Sequence, residues 1–196
     1  MTRIRVTLLL TLVAVLFAAP AMAQDQKFAL RFGFLIVEPT GDSFDDTQAG
    51  IEIDFEWYFH PRVGFEAAIA SSTNSSFDMD GQQVSDLLFS TFTLGFNGHV
   101  IRSKKVDFAL GILAGSAAFR DLELEDLTTT LQIARDTVIG AQAFVDMTVG
   151  RKWAVNVGLK YLDTQLEIEH GSKLDFNPVI LSVMGVYRWG RSGQGG

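Results

Sequence analysis

The stretch 48–60 constrains the fold of this chain more than any other feature of the sequence. Its odd positions from 49 to 59 are all apolar, whereas Glu52, Asp54 and Glu56 stand at even positions. Because successive side chains point to opposite faces of a strand, this period of two predicts a β-strand with one apolar and one charged face. Similar alternation recurs along the chain. We expect the apolar faces to contact lipid and the charged faces to line the interior of a small barrel.

Residues 1–23 are predicted to be an export signal. Two arginines precede an apolar run, which is followed by a small-residue cleavage motif ending at Ala23. The run is shorter than the ~20 apolar residues that a membrane-spanning helix needs. We expect the rest of the chain to comprise a barrel over residues 24–189 and a short flexible tail over residues 190–196.

Eight alternating segments are separated by links of two kinds. The segments cover residues 27–37, 47–60, 63–72, 88–100, 106–120, 137–149, 153–166 and 176–189. Three of the links are tight turns, and the other four are longer and more acidic, at residues 38–46, 73–87, 121–136 and 167–175. Short turns at one end and long loops at the other are typical of outer-membrane barrels. The predicted fold is all-β, an eight-stranded antiparallel up-and-down transmembrane β-barrel whose short turns lie at the inner, periplasmic end.

Large aromatic side chains fall at the predicted strand ends, where a barrel meets the membrane surface. They are predicted to form an interface belt made of Trp57, Trp153, Tyr161, Tyr187 and Trp189. Tryptophan and tyrosine prefer this depth because their rings are apolar and carry one polar group. The same register turns the mid-strand charges inward, and a shift of one residue would turn every one of them toward lipid.

The inward positions divide into a polar and an apolar set along the barrel axis. The polar set, predicted to act as a plug or a gate, is Arg31, Glu52, Asp54, Glu56, Glu66, His99, Asp107, Asp146, Lys160 and Arg188. The apolar set, predicted for the upper lumen, is Leu35, Phe89, Leu113, Leu162, Ile180 and Met184. Eight strands leave room only for side chains or one small ligand. The polar set is therefore either a rigid salt-bridged plug or a gate whose ion pairs rearrange to admit solute.

The order and spacing of several short motifs resemble the OmpW family of eight-stranded outer-membrane barrels. These motifs are Arg31-Phe32-Gly33, Glu38-Pro39-Thr40, Val145-Asp146, Trp153-Ala154-Val155-Asn156-Val157, Tyr161-Leu162-Asp163, Asn177-Pro178 and Gly185-Val186-Tyr187-Arg188-Trp189. The resemblance implies a narrow, partly apolar lumen that passes small hydrophobic molecules. This chain departs from the family at Lys160, where members usually carry a large apolar residue, at Asn177, and in its residues after Trp189.

These observations favour a protein of the Gram-negative outer membrane that acts as a narrow channel or binding barrel for small hydrophobic molecules. One alternative is a structural or adhesive barrel with a closed, salt-bridged lumen, and another is a soluble periplasmic β-barrel that binds a lipid-like ligand. The partners expected of a membrane barrel are outer-membrane lipid, lipopolysaccharide and the barrel-assembly machinery. If the lumen conducts, its excess of carboxylates predicts a preference for cations.

The sequence does not favour nucleic-acid binding, catalysis or a metal site. The chain contains no cysteine, its net charge of −7 argues against nucleic acid, and no cofactor is predicted. The tripeptide His170-Gly171-Ser172 is similar to a motif of lipid A deacylases, but the rest of that pattern is missing and we predict no catalytic activity. No two histidines have metal-ligand spacing, so no metal is predicted. The acidic stretch 121–126 is either a solvated loop or a divalent-cation bridge to lipopolysaccharide.

Overall fold

A computed structural model describes residues 26–40, 47–79, 82–121, 134–167 and 173–191 of the chain. Its regular structure consists of β-strands. They are β1 Gln26–Glu38, β2 Gln48–His60, β3 Val63–Met79, β4 Gln82–Arg102, β5 Val106–Asp121, β6 Ala134–Thr148, β7 Trp153–Asp163, β8 Gln165–Glu167, β9 Lys173–Asp175 and β10 Val179–Arg191. Within the described ranges, no helix has the length and apolar character needed to cross a bilayer.

Eight of these strands form one closed antiparallel barrel in the order β1-β10-β7-β6-β5-β4-β3-β2. Strand β1 closes the wall because it pairs with β10 on one side and with β2 on the other. Closure leaves no open sheet edge, which is the condition for placing strands in hydrocarbon, where an unpaired backbone group costs several kcal/mol. The prediction of an all-β, closed eight-stranded antiparallel barrel is confirmed.

The predicted alternation of the two faces is visible strand by strand. In β1, Phe34 is 76% exposed on the outside, whereas the next residue, Leu35, is 2% exposed on the inside. The outer wall is covered with large exposed apolar side chains such as Ile69 and Ile112, and the buried residues of β2 include all three of its carboxylates. An apolar outside and a polar inside is the reverse of a water-soluble sheet and matches a wall that faces lipid.

The link predicted at residues 73–87 is not a loop in the structure. Strands β3 and β4 continue beyond Ser72 and pair as far as Met79 with Gln82, with register shifts around Ser75. The prediction was wrong because the polar run 71–76 carries no alternation of apolar and polar residues. Backbone hydrogen bonds hold this hairpin, and they do not depend on side-chain type.

The region around Pro178 also differs from the prediction of two uninterrupted strands. Strand β7 ends at Asp163, and β8 and β9 form a separate two-stranded hairpin before β10 begins at Val179. Proline has no N–H to donate to a sheet. Instead, the Leu162 N–H donates to the Pro178 carbonyl at 3.1 Å, and the Phe176 N–H donates to the Thr164 carbonyl at 3.0 Å.

The last strand continues through Gly190, whose φ of 79° favours glycine, as far as Arg191. The strand thus runs two residues beyond its predicted end. The predicted export signal, residues 1–23, and the final residues 192–196 lie outside the described residues, as do most of the predicted links 38–46 and 121–136.

Candidate functional site

The ten inward polar residues singled out by the sequence lie together inside the barrel. We call this set the charged layer: Arg31, Glu52, Asp54, Glu56, Glu66, His99, Asp107, Asp146, Lys160 and Arg188. None of the ten is more than 6% exposed, and each is within ion-pair distance of another member. They come from all eight strands of the wall, so the layer forms only when the barrel closes.

Arg31 lies within ion-pair distance of three carboxylates of the charged layer. Its Nη2 lies 2.6 Å from Glu56 Oε2 and 3.2 Å from Asp146 Oδ2, and its Nη1 lies 3.8 Å from Glu66 Oε2. The guanidinium carbon is 4.3 Å from the centre of the Phe144 ring, which adds a cation–π contact. A buried guanidinium requires such partners, because an uncompensated charge in an apolar interior is very costly.

His99 joins two carboxylates near the inner end. Its Nδ1 is 2.7 Å from Asp107 Oδ1 and its Nε2 is 3.1 Å from Glu56 Oε1, so a ring with N–H groups at both nitrogens would donate to both carboxylates. Arg188 Nη2 then links Asp146, at 2.7 Å, to Asp107, at 3.7 Å. This part of the layer is a continuous network of alternating positive and negative groups.

Lys160 is the cation of the upper part of the charged layer. Its ammonium donates to Glu52, and it lies 3.6 Å from both Asp54 Oδ1 and Glu66 Oε1. Three carboxylates therefore surround one ammonium. This arrangement of three carboxyl groups around one cation contrasts with the alternation around His99.

Three amide side chains complete the network. Asn97 Nδ2 donates to Glu56 and to Glu66 at 2.8 Å each, and Gln142 Nε2 donates to Glu66 at 3.0 Å. Asn156 Nδ2 donates to an oxygen of Asp146 at 2.5 Å. Buried carboxylates are stabilised by such donors, which replace the hydrogen bonds that water would make.

Sequence reasoning missed two arginines near the inner turns and an inward tyrosine. Arg102 is 6% exposed, its guanidinium lies 4.0 Å from the centre of the Tyr58 ring, and its Nε is 3.6 Å from Asp107. Arg62 is also buried. A register shift between His99 and Ile101 turns Arg102 inward, and alternation cannot predict such a shift. Tyr58 stands at an even position of β2, like Glu56, and this position in the alternation could have predicted that its ring faces the interior.

Two glycines make room for the charged layer. A Cβ at Gly64 would overlap Glu56 Oε1, and a Cβ at Gly111 would overlap Asn97 Oδ1. These positions therefore accept the network only because they lack a side chain.

Above the charged layer, toward the long loops, lies an apolar layer. It contains Leu35, Phe89, Leu113, Leu162 and Ile180 of the predicted set, together with Val37, Ala70, Ala117, Val138 and Phe176. Met184 is buried but lies lower, beside Asp54 and Lys160. Phe176, which was not predicted to line the lumen, packs its ring edge-on against Phe89 with 5.0 Å between centroids. Phe176 lies in the irregular link before Pro178. Because this link is not a strand, the alternation of inward and outward side chains does not predict where its ring points.

The predicted interface belt is partly exposed and partly stacked. Trp57, Trp153 and Tyr161 are exposed on the outer wall, each 46% or more. Tyr187 is tilted against Trp153, with 4.9 Å between centroids, and stacked on Trp189, with 5.8 Å between centroids, and it is half-exposed. Four of the five rings lie near the short turns, as predicted from the register.

The sequence predicted neither a metal site of the usual histidine and carboxylate kind nor catalytic activity. Across the described ranges, no three histidine or carboxylate side chains are arranged to hold a metal ion. The tripeptide 170–172 and the acidic residues 122–126 lie outside those ranges.

Known structures share this architecture. The chain is similar to OprG of Pseudomonas aeruginosa, an outer membrane protein, with a TM-score of 0.63 and 16% identity over 87% of this chain and 99% of that one. Neisserial surface protein A matches with a TM-score of 0.62 and 11% identity, over 83% and 97% of the two chains. The outer membrane protein AlkL matches with a TM-score of 0.57 and 14% identity, over 91% and 97%.

These likenesses define the class to which the fold belongs. The chain has the closed eight-stranded architecture of small bacterial outer-membrane barrels, and identities this low show the fold alone. No protein-family model matches the sequence. No curated protein sequence matches it either.

Proposed function

We propose that this chain is an OmpW-type protein of the Gram-negative outer membrane that binds small hydrophobic molecules at the outer end of its barrel. In this proposal the lumen is closed below the binding region by the charged layer. The export signal predicted at residues 1–23, the apolar outer wall and the likeness to OprG and AlkL support the location.

The observation that carries the proposal is the division of the interior along its axis. The apolar layer lies toward the long loops and the charged layer toward the short turns. A hydrophobic molecule would be stabilised in the first, by roughly 25 cal/mol for each Å² of apolar surface removed from water. It would be excluded from the second, where it would have to displace ion pairs without replacing them.

The charged layer argues against a water-filled pore. Arg31, Glu56, His99, Asp107 and Asp146 are each 0% exposed, so water does not reach the centre of the barrel. An eight-stranded wall has an interior that side chains can fill, and here they do. The protein is therefore proposed as a binding barrel rather than as a lengthwise channel.

A matched pair of substitutions tests the binding site. Ile180→Thr places a hydroxyl in the apolar layer, where Ile180 is 2% exposed, and Ile36→Thr makes the same change on the outer wall, where Ile36 is 52% exposed. Titration of purified barrel in detergent with an apolar fluorescent probe should show binding by the wild type and by Ile36→Thr. Ile180→Thr should bind about tenfold more weakly, which corresponds to ~1.4 kcal/mol. Equal binding by the two variants would mean that the probe only associates with the outer wall and the detergent.

A structural or adhesive barrel with a closed lumen is the second candidate. It is favoured by the burial of the aromatic rings of the apolar layer, where Phe89 and Phe176 are 1% and 0% exposed. Absence of probe binding to the wild type would decide for this candidate.

A further inference from the structure

A small cavity opens inside the barrel beside Gly158 on β7. Its volume is about 10 Å³, room for one water-sized group, and it is lined by Asp54, Gln142, Asn156, Lys160, Ser182 and Met184, among others. We call it the Gly158 cavity. A Cβ at position 158 would lie 2.6 Å from Ser182 Oγ and 3.4 Å from Asn156 Oδ1, so the glycine keeps this space clear.

Four polar side-chain atoms of the cavity lining have no hydrogen-bond partner, and one of them, Asp54 Oδ1, has only an ion-pair contact of 3.6 Å with the Lys160 ammonium. They are Asp54 Oδ1, Gln142 Oε1, Asn156 Oδ1 and Ser182 Oγ, and all are oxygens. Their residues are 5% exposed or less. A buried acceptor without a partner costs free energy, so four of them around one cavity indicate a missing group that supplies positive charge or hydrogen-bond donors.

The amide oxygens face the cavity because their nitrogens are already engaged. Asn156 Nδ2 donates to Asp146 at 2.5 Å, and Gln142 Nε2 donates to Glu66 at 3.0 Å and to Asn97 Oδ1 at 2.8 Å. Reversing either amide would set its oxygen against a carboxylate. The network below therefore fixes the cavity lining as acceptors.

The charge around the cavity points to a cation. Glu52, Asp54 and Glu66 bring three carboxyl groups together, and among the described residues Lys160 is the one cation within ion-pair distance of all three. Arg31 lies 3.8 Å from Glu66, and its closer contacts are with Glu56 and Asp146. Buried carboxylates in excess need a counter-charge or a proton.

We propose that the Gly158 cavity binds a hard metal cation. Its ligands are Asp54 Oδ1, Gln142 Oε1, Asn156 Oδ1 and Ser182 Oγ, a set of carboxylate, amide and hydroxyl oxygens of the kind that hard cations prefer. The Lys160 ammonium supplies part of the positive charge and partly competes with the ion. The site is separate from the hydrophobic binding proposed above, and neither depends on the other.

The test measures how the urea unfolding midpoint of the purified barrel in lipid vesicles depends on CaCl₂ or NaCl, with choline chloride added to hold ionic strength constant. An ion that binds only the folded barrel raises the midpoint in proportion to the logarithm of its concentration. We expect a rise with at least one of the two salts for the wild type. Gly158→Ala fills the cavity and Asp54→Asn removes its charged ligand, and both should abolish the rise.

Two controls repeat these chemical changes away from the cavity. A Cβ at Gly185, on the outer wall of β10, meets no atom closer than 3.8 Å, and Asp163 is exposed at the end of β7. Gly185→Ala and Asp163→Asn should keep the wild-type salt response. Lys160→Met, which removes the competing ammonium, should strengthen the response about tenfold or more in ion concentration.

The outcomes separate the proposal from its alternatives. An equal response in Gly158→Ala and Gly185→Ala would place the cations on the acidic loops and overturn the proposal, as would no response to either salt. If Gly158→Ala does not fold, Asp54→Asn and Lys160→Met decide: a weakened and a strengthened response, respectively, support the site, and any other pair of results overturns it. A crystal grown with CaCl₂ that shows only ordered water in the cavity would overturn it for Ca²⁺, leaving the Na⁺ arm to decide.

Discussion

The guanidinium of Arg31 on β1 reaches across the lumen to the carboxylate of Asp146 on β6, with 3.2 Å between Nη2 and Oδ2 and 3.4 Å between Nε and Oδ1. The two residues are 115 positions apart, and β10 and β7 stand between their strands in the wall. Their contact therefore forms only when the first strand pairs with the last, which is the pairing that closes the barrel. Most of what we expect from mutagenesis follows from this cross-lumen network.

Replacing Arg31 by methionine should destabilise the barrel strongly. The change keeps an unbranched side chain but leaves Glu56 and Asp146 buried beside each other without their shared cation. Breaking a buried pair by removing one partner typically costs about 3–5 kcal/mol. Urea unfolding of the refolded protein in lipid vesicles measures the difference.

The control for this change is Arg151→Met, because Arg151 is exposed in the turn between β6 and β7. It should alter the unfolding free energy by less than about 0.5 kcal/mol. Similar small effects for both substitutions would mean that the charged layer does not hold the wall together.

Gly64→Ala should disturb the same network from the side of β3. The new methyl group would overlap Glu56 Oε1, which must then move away from Asn97 and His99. We expect a loss of about 1–3 kcal/mol in unfolding free energy. In Gly185→Ala the methyl group points into open space on the outer wall, and its unfolding free energy should stay near that of the wild type. The reverse order of the two effects would contradict the assigned faces.

A charge on the outer wall should be tolerated according to its depth in the membrane. Ile112, 68% exposed, lies at the middle of β5, and Val149, 69% exposed, adjoins the short turn after β6. Lysine at Ile112 should cost about 2–4 kcal/mol in a bilayer, and lysine at Val149 about 0–1 kcal/mol. Folding yield and unfolding free energy in vesicles give both values. A barrel that works in water would accept the two lysines equally.

Planar-bilayer recordings test the closed lumen directly. We expect no ion conductance from the wild type or from Lys160→Trp, because Arg31, His99 and Arg188 still fill the cross-section in both proteins. Steady unitary currents from the wild type would refute a closed barrel. If currents do occur, the carboxylates of the charged layer should make them selective for potassium over chloride.

Much of the architecture could be predicted from alternation alone. The parity of Glu52, Asp54 and Glu56 placed one face of β2 inside, and the same rule located Lys160 and Asp146 on distant strands. Alternation works here because lipid outside and a narrow interior both penalise the wrong residue type on a given face.

The features that could not be predicted lie where the alternation of inward and outward side chains shifts by one residue or where the chain is not in a strand. The irregularity after His99 turns Arg102 into the lumen, and the break at Pro178 lets Phe176 enter from outside the regular ladder. The partners of each charge were also beyond reach, because His99 could meet Glu56 or Glu66 with equal reason until the three-dimensional register was known.

The pairing of Gln26 on β1 with Arg191 on β10 has a consequence for how the fold is encoded. Because these positions are neighbours, a short linker could join them while new ends are opened in the turn 149–152. Every ladder of the wall would survive such a circular permutation. The cyclic sequence of strands, and not the place where the polypeptide starts, would then specify this cylinder.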